Sequence, residues 1–506
     1  MNFEKLLQSE FKNHNITKYG FVILGLIIIF LFGFKSPGDP DLGWHLKTGE
    51  LIWRTKTIPH LDWYSYTMPD FAWIDHEWLT EILIYGIYSI FGYWGLSIAF
   101  ALIIVAVFGF LIGETTRKKN SLESKIIIGI LGVLVSWSFI GIRPQVLTLL
   151  GLVLVLIIVK KLKENEKTKT VFALPLLFLL WANMHASFVI GLITLGIIIS
   201  TERIKIRGLI NKGETEWIKK SQTLTKNAWK KLCIFTTLSF LVAFINPYGY
   251  KLLWELKRTF TDSYGTNIII EWLSLNFHST EGIFFAIYLL IIIEILALKK
   301  SRIDPTQFVL LMAFLWLALQ SARHVPLFVI ITIPFLLESI QGVPEKILSE
   351  VLKTKVIFIG LVLLSIIYIP HLLSLKETIK AINSPAILAE QAKYPRKAVE
   401  FLKENPQEGN MFNDYGFGGY LIWEYPKVKT FIDGRMAHWK NKDLHILKDY
   451  TEINMLQSNW QDLLEKYNVS WMLIKKDRAL AQVLRLSPDW DEIYQDDIAI
   501  IFRKLK

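Results

Sequence analysis

Apolar runs long enough to cross a hydrocarbon core of about 30 Å recur along the first three quarters of this 506-residue chain. They lie near 19–34, 93–113, 125–141, 145–159, 171–182, 186–201, 232–246, 281–298, 306–320, 325–340 and 355–372. Backbone in lipid finds no water to bond, so each run has to close its own N–H and C=O groups as a helix. The chain is therefore expected to be a polytopic α-helical membrane protein of about eleven transmembrane helices. A hydrophobic content of 52% fits that class and excludes an ordinary soluble protein. The first run lacks a small-residue cleavage site and leads into a Pro-Gly turn, so it reads as a retained helix. After about Ser374 the chain is polar enough to be aqueous, which divides it into a bundle over 1–373 and a C-terminal domain over 374–506.

The basic residues set the expected orientation. The N-terminus and alternate loops (115–125, 160–170, 202–231, 299–302, 342–355) hold about three times as many lysines and arginines as the opposite set. That places the N-terminus in the cytoplasm, and the loops 35–92, 142–144, 183–185, 247–280 and 321–324 outside the plasma membrane. With an odd number of spans the C-terminal domain is extracytoplasmic too. The net charge of +11 belongs to this asymmetry rather than to a nucleic-acid partner. Of the ten histidines only His14 falls inside. The single cysteine, Cys233, excludes an intramolecular disulfide or a cysteine metal cluster and reads as a small apolar filler.

The first outer loop, 35–92, concentrates the chemistry. It sets Asp39, Asp41, His45, Asp62, Asp75, His76 and Glu77 among tryptophans and tyrosines between two spans. Asp39 and Pro40 predict an N-cap and first turn for a helix to about Arg54. A second helix is predicted from Asp75 to Ile90, with Trp78, Leu79, Ile82, Leu83 and Ile90 on one face and Gly86 admitting a close neighbour there. Both helices should lie flat at the interface, with Trp44, Trp53, Trp63, Tyr64, Tyr66, Trp73 and Trp78 at headgroup level.

Later outer loops carry Arg143, His185, Glu271, Arg323 and His324 at membrane depth. Ionisable groups there are costly and mark cavities or partners, although snorkelling at a helix end competes for Arg143 and Arg323. The stretch TNIIIEWLSLNF within 247–280 is expected to lie over the bundle mouth. The C-terminal domain should open with an amphipathic helix from Ser384 to Asn405. Beyond it, strands at 430–432, 469–474 and 498–502 alternate with helices at 442–452 and 459–467, a small α/β domain. Gly416, Gly418 and Gly419 do not form a nucleotide-binding pattern and read as a turn or close packing.

A carboxylate in a water-restricted pocket can act as general base towards a hydroxyl or share a divalent cation. Capping competes for Asp39 and Asp75; Asp41 has no such alternative and is the first choice for catalysis. On Asp39-Pro-Asp41 after the first span, the two following interfacial helices and the outer C-terminal domain, the chain resembles the GT-C class of multi-spanning glycosyltransferases. It is also similar to bacterial membrane proteins with a W-H-x-x-T-G-x-x-I…I-P…D…S-Y-T…W-x-x-H-E-W signature, here Trp44 to Ile52, Ile58 to Thr67 and Trp73 to Trp78.

The resemblance implies transfer of a sugar from a polyprenyl-phosphate or polyprenyl-diphosphate donor to a glycan, lipid or protein acceptor on the outer face. Asp41 or Asp39 would then be the catalytic base. His45, Asp75, His76, Glu77, Arg143, His185, Glu271, Arg323 and His324 would bind donor and substrate, the cationic groups at the departing phosphate. Mg²⁺ or Mn²⁺ is a possible cofactor. Asp414-Tyr415-Gly416 resembles the tail of an acceptor-gripping motif of oligosaccharyltransferases, but Met411-Phe412-Asn413 precede it in place of paired tryptophans, which argues against peptide-sequon recognition. A transporter or flippase would favour internal repeats and charges at the midplane, and no repeat stands out. A non-catalytic scaffold for polysaccharide assembly is the other alternative.

Overall fold

The computed structural model describes residues 14–114, 122–215, 219, 222–298, 303–340, 374–441 and 444–505. Helices α1 (His14–Gly33), α2 (Leu42–Thr55), α3 (Trp78–Glu114), α4 (Leu122–Ser136), α5 (Gln145–Glu164), α6 (Ala173–Met184), α7 (Phe188–Lys212) and α8 (Lys226–Val242) come first. Two shorter ones, α9 (Lys251–Thr261) and α10 (Ser263–Ile268), precede α11 (Thr280–Leu298), α12 (Pro305–Gln320) and α13 (Val325–Ile340). Every apolar run from 19–34 to 325–340 thus falls on a helix, and 355–372 lies outside the described residues. Among the described residues four helices are long and apolar enough to cross a membrane: Trp78–Glu114, Gln145–Glu164, Thr280–Ala297 and Ala322–Ser339. The apolar stretches Val22–Gly33, Lys125–Phe139, Thr170–Met184 and Pro305–Gln320 are shorter. Their large side chains, among them Phe108, Phe178, Phe285 and Phe328, fill one continuous core.

Two expectations about the first loop change. Helix α2 starts at Leu42, with Asp41 rather than Asp39 in the N-cap position, and Asp41 makes no capping bond. Helix α3 begins at Trp78 and breaks at Gly92, where φ is 59° and ψ −154°, a left-handed geometry that glycine adopts without a Cβ clash. On the leading piece Leu83 and Ile90 are exposed and Thr80, Glu81 and Ile84 buried, so much of the expected apolar face looks outward and a mixed face looks inward. The close approach is at Gly49, where a Cβ would meet the Glu81 carbonyl, while Gly86 has only Trp53 at 3.9 Å.

Beyond 384 the expected single helix is two, α14 (Pro385–Gln391) and α15 (Arg396–Glu404). They lead into β1 (Asn410–Asn413), α16 (Gly418–Glu424), the ribbon of β2 (Lys440–Asn441) and β3 (Leu444–His445), α17 (Ile446–Asn454), α18 (Trp460–Lys466), β4 (Val469–Lys475), α19 (Ala479–Leu486), β5 (Trp490–Gln495) and β6 (Ala499–Lys504). The main sheet runs β1-β4-β6-β5, with β1 parallel to β4 and the remaining pairs antiparallel. Residues 430–432 are not a strand of this sheet. Their pairing goes to the first loop instead: Thr430 N donates to Tyr64 O at 2.9 Å and Tyr66 N donates to Thr430 O at 3.2 Å.

That pairing reassigns much of the expected aromatic belt. Trp44 and Trp73 are buried, packed with Met68 and Phe71 against Phe431, Met436 and Trp439. Of that set Trp53 and Trp63 stay half exposed. The first loop and the C-terminal unit share a core, because aromatic area is better removed from water against another apolar face than left at a boundary.

Candidate functional site

Asp41 sits where α2 begins, and the chain around it explains its position. Asp39 Oδ1 accepts from the Asp41 N–H at 2.9 Å, and Tyr394 donates its hydroxyl to the Asp39 carbonyl at 2.6 Å. Asp41 Oδ1 accepts from Trp44 Nε1 at 3.0 Å, one turn on. Gly434 packs so close that a Cβ there would strike the Asp41 carboxylate. Burial, with repulsion from Asp39 added and only partly opposed by Arg143, pushes the Asp41 carboxyl up to about 7.

Arg143, in the turn before α5, bonds Asp39 through Nε and Glu271 through Nη1. Its charge outweighs the burial of Glu271 and holds that carboxyl below its usual range. Arg323 lies over the Trp272 ring at 4.4 Å, and His324 Nδ1 is 3.3 Å from the Leu317 carbonyl.

A second group surrounds Glu77. Its Oε1 is 3.2 Å from His185 Nε2 and 3.8 Å from His76 Nε2, and its Oε2 is 3.8 Å from His45 Nε2. Burial alone would raise this carboxyl, but the His185 hydrogen bond and the neighbouring imidazoles bring it down to about 2. Burial lowers His45 to about 4 and raises Asp75 to about 6. Asp75 Oδ1 accepts from the Glu77 N–H at 3.1 Å in the turn ahead of α3, which starts at Trp78 and not at Asp75 as expected.

Both groups border one cavity of about 270 Å³. Asp41, His45, Asp75, His76, Glu77, Arg143, His185, Glu271, Arg323 and His324 all line it, and Asp39 stands behind Arg143. The loops that carry these residues come together at one end of the bundle, and 269–272 forms part of the wall as an irregular stretch and a short 3₁₀ turn. Asp262, between α9 and α10, fastens that segment to the C-terminal unit through His438 Nδ1 at 3.0 Å and His445 Nε2 at 3.1 Å.

The C-terminal unit also supplies wall residues that the sequence did not single out. Arg435 is buried between Asp433 and Asp62, whose nearest oxygens lie at 2.7 and 2.9 Å from Nη2, and is flanked by the rings of Tyr64, Trp73 and Trp439. Tyr415 and Gly434 line the cavity beside it. The Asp433-Gly434 turn was the one local signal. Nothing near Arg435 in the chain announces a partner at Asp62. Gly419 serves close packing: a Cβ there would meet the Pro40 carbonyl.

For a divalent cation at the aspartates the fit is poor. Asp39 and Glu271 already bind the Arg143 guanidinium, and Trp44 holds an oxygen of Asp41. The groups that bring three donor atoms within 4.8 Å are His76, Glu77 and His185, and His45, Glu77 and Glu81. The first offers two nitrogens and one carboxylate oxygen and the second one nitrogen and two carboxylate oxygens, sets poorer in oxygen than Mg²⁺ prefers.

No family model and no curated protein matches the chain. Solved structures do. The apo oligosaccharyltransferase of Archaeoglobus fulgidus superposes with a TM-score of 0.56 at 11% identity, covering 91% of this chain and 70% of its own. The Archaeoglobus fulgidus AglB oligosaccharyltransferase, in complex with an inhibitory peptide and a dolichol-phosphate, gives 0.53 at 12%, covering 92% and 70%. ArnT from Cupriavidus metallidurans, bound to undecaprenyl phosphate, gives 0.53 at 10%, covering 95% and 97%. The structural neighbours are thus enzymes of the GT-C class that the sequence resembles, and the fold of the chain is theirs.

Proposed function

We propose that the protein is an integral-membrane glycosyltransferase that moves a sugar from a polyprenyl-phosphate or polyprenyl-diphosphate donor to an acceptor at the outer face of the cytoplasmic membrane. Its transmembrane part is about eleven helices over 1–373, the N-terminus is cytoplasmic, and the domain over 374–506 lies outside. The observation that carries the reading is Asp41: a carboxylate with a pKa near 7, in a cavity wall that also holds Arg143 and Arg323, on a fold shared with lipid-linked transferases.

In this reading Asp41 takes the proton of the acceptor hydroxyl or amine as it attacks the anomeric carbon. The bond from that carbon to the donor phosphate oxygen breaks, and the polyprenyl phosphate or diphosphate leaves with the electron pair. Attack from the face opposite the departing phosphate inverts the anomeric centre. Negative charge grows on the phosphate, so Arg323 and His324 are placed to stabilise it, while Arg143 holds Asp39 and Glu271 in position. A base whose pKa is near the working pH is partly ionised and still a strong enough acceptor.

The test is transfer by detergent-purified protein supplied with polyprenyl-phosphate sugars. Asp41→Asn should fold and bind donor yet lose transfer by about 100-fold or more, the usual size of a general-base contribution. Undiminished transfer removes Asp41 from the chemistry. Failure of every polyprenyl-phosphate or -diphosphate sugar to stabilise the wild type removes the donor class.

A further inference from the structure

A second cavity, of about 460 Å³, lies at the end of the bundle away from Asp41. Helix α5 starts just after Arg143 and brings its last residues to this cavity, about 30 Å away for 20 residues. The volume falls within the range of about 300–1,000 Å³ usual for small-ligand sites. Its polar walls are helix ends. Glu114 closes α3, Lys160, Lys163 and Glu164 close α5, Asp304 caps α12, and Glu338 stands in the last turn of α13. Its apolar walls lie deeper on the same helices, at Leu156, Leu310, Ile331 and Phe335. Ile331 is seven positions before Glu338, so about 10 Å further along α13. The space is therefore polar towards the surface and apolar towards the hydrocarbon, the profile of a lipid rather than of a soluble metabolite.

The charges specify the headgroup. Lys160 and Lys161 lie against Glu114, and Lys160 also approaches Glu164. Lys163 and Lys205 hold Glu202, and Lys205 also holds Asp304. Each of these lysines thus faces a carboxylate, whereas Glu338 has no cationic side chain in ion-pair range among the described residues. Its oxygens accept from Gln222 Nε2 at 3.1 Å and from Gln307 Nε2 at 2.5 Å, both neutral amides. Gln307 Oε1 is buried and has no donor among the described residues. A carboxylate and an amide carbonyl on the wall of one cavity offer two acceptors and one negative charge. A primary ammonium answers both, because it carries the opposite charge and three N–H donors. A trimethylammonium group carries the charge alone.

We propose that this cavity binds one phospholipid of the adjoining leaflet through a primary-amine headgroup, with the ammonium at Glu338 and Gln307 and an acyl chain along Leu156, Leu310, Ile331 and Phe335. Lys160 and Lys163 border the same space and give the lipid phosphate a cationic wall. The lipid would join α12 and α13 to α5 at the end of the bundle opposite the candidate site. The inference requires only that the bundle spans a membrane, and it stands whatever donor and acceptor the first cavity takes.

The test is native mass spectrometry of the full-length, detergent-purified protein titrated with phosphatidylethanolamine, phosphatidylcholine and phosphatidylglycerol of identical chains. One phosphatidylethanolamine should bind about tenfold or more tightly than phosphatidylcholine, the size expected of a hydrogen bond to a charged group. Glu338→Gln keeps the shape of the side chain and should erase that preference. Gln307→Met leaves the carboxylate in place and should reduce it, and Asp41→Asn should preserve it. Equal affinity of wild type for the two amine lipids overturns the proposal, as does a preference that survives in folded Glu338→Gln. A preference for phosphatidylglycerol overturns the charge assignment. Phosphoethanolamine without chains that competes as well as the lipid overturns the assignment to a lipid.

Discussion

Asp41 combines two demands that pull in opposite directions. The carboxylate must be ionised to accept a proton, yet its surroundings favour the neutral acid and push it up to about 7. If it is the base, kcat/KM should rise with pH through about 7 and level off above. Arg143 lowers the Asp41 pKa, more than the Trp44 hydrogen bond does, so Arg143→Gln should move this limb to higher pH, which a pH–rate profile would show. Stability runs the other way. Between about pH 4 and 7 the folded state binds a proton that the unfolded chain has released, so the fold weakens as pH rises across that window. Asp41→Asn should therefore unfold at a higher temperature than wild type at pH 8 and at a similar one at pH 4. Equal shifts at both values would contradict the buried, uncompensated carboxylate. The sequence picked out Asp41 from its residue type and place after the first span. It missed Arg435, because a buried guanidinium is recognisable only from the Asp62 carboxylate and the rings of Tyr64, Trp73 and Trp439 that meet it.

Helix α2 is the element on which the site depends. One of its faces receives α3 and the other α16, and each contact is made at a glycine. A Cβ at Gly49 would enter the Glu81 carbonyl, and one at Gly43 would enter the Gly419 carbonyl. Backbone cannot move aside as a flexible side-chain tip can. Gly43→Ala should therefore destabilise by about 1–3 kcal/mol and separate Asp41 from Gly434, with loss of transfer beyond what stability explains. Gly86→Ala has room and should be neutral or stabilising by about 0.5–1 kcal/mol, since alanine is the better helix former. Thermal or denaturant unfolding of the two variants side by side decides between them. Helical periodicity predicted that these segments are helices but put the close approach at Gly86, because a pattern of apolar residues says which side is apolar and not what will touch it. The face of α3 that carries Leu83 and Ile90 in fact turns outward, while Glu81 turns inward and meets His45.

At the scale of the molecule the loops sort into two ends. The less basic set meets at the cavity. At the other end Lys205 bonds Glu202 at 2.9 Å, Asp304 at 2.5 Å and the Gln222 carbonyl at 2.6 Å, and Lys163 reaches the same Glu202 at 2.9 Å. Lys205 is fully buried, so removing it leaves Asp304 without its cation and Glu202 with Lys163 alone; Lys205→Ala should cost about 3–5 kcal/mol, measured as a loss of folded protein on heating in detergent. A variant as stable as wild type would mean that water reaches this network freely.

The sequence by itself determined the bundle. Apolar runs have one way to satisfy a backbone in lipid, and charges in the short connections bias which side each one faces. It also pointed to the charged groups of the outer loops that line the cavity, since polar groups beside spans have few places to go, though not to the wall residues of the C-terminal unit. Only the tertiary structure decided which of them meet: Arg143 with Asp39 and Glu271, Glu77 with three histidines, Arg435 with Asp62. Those pairs are joined by side-chain geometry across long stretches of chain, and no local period or propensity encodes a contact between residues that the backbone keeps so far apart.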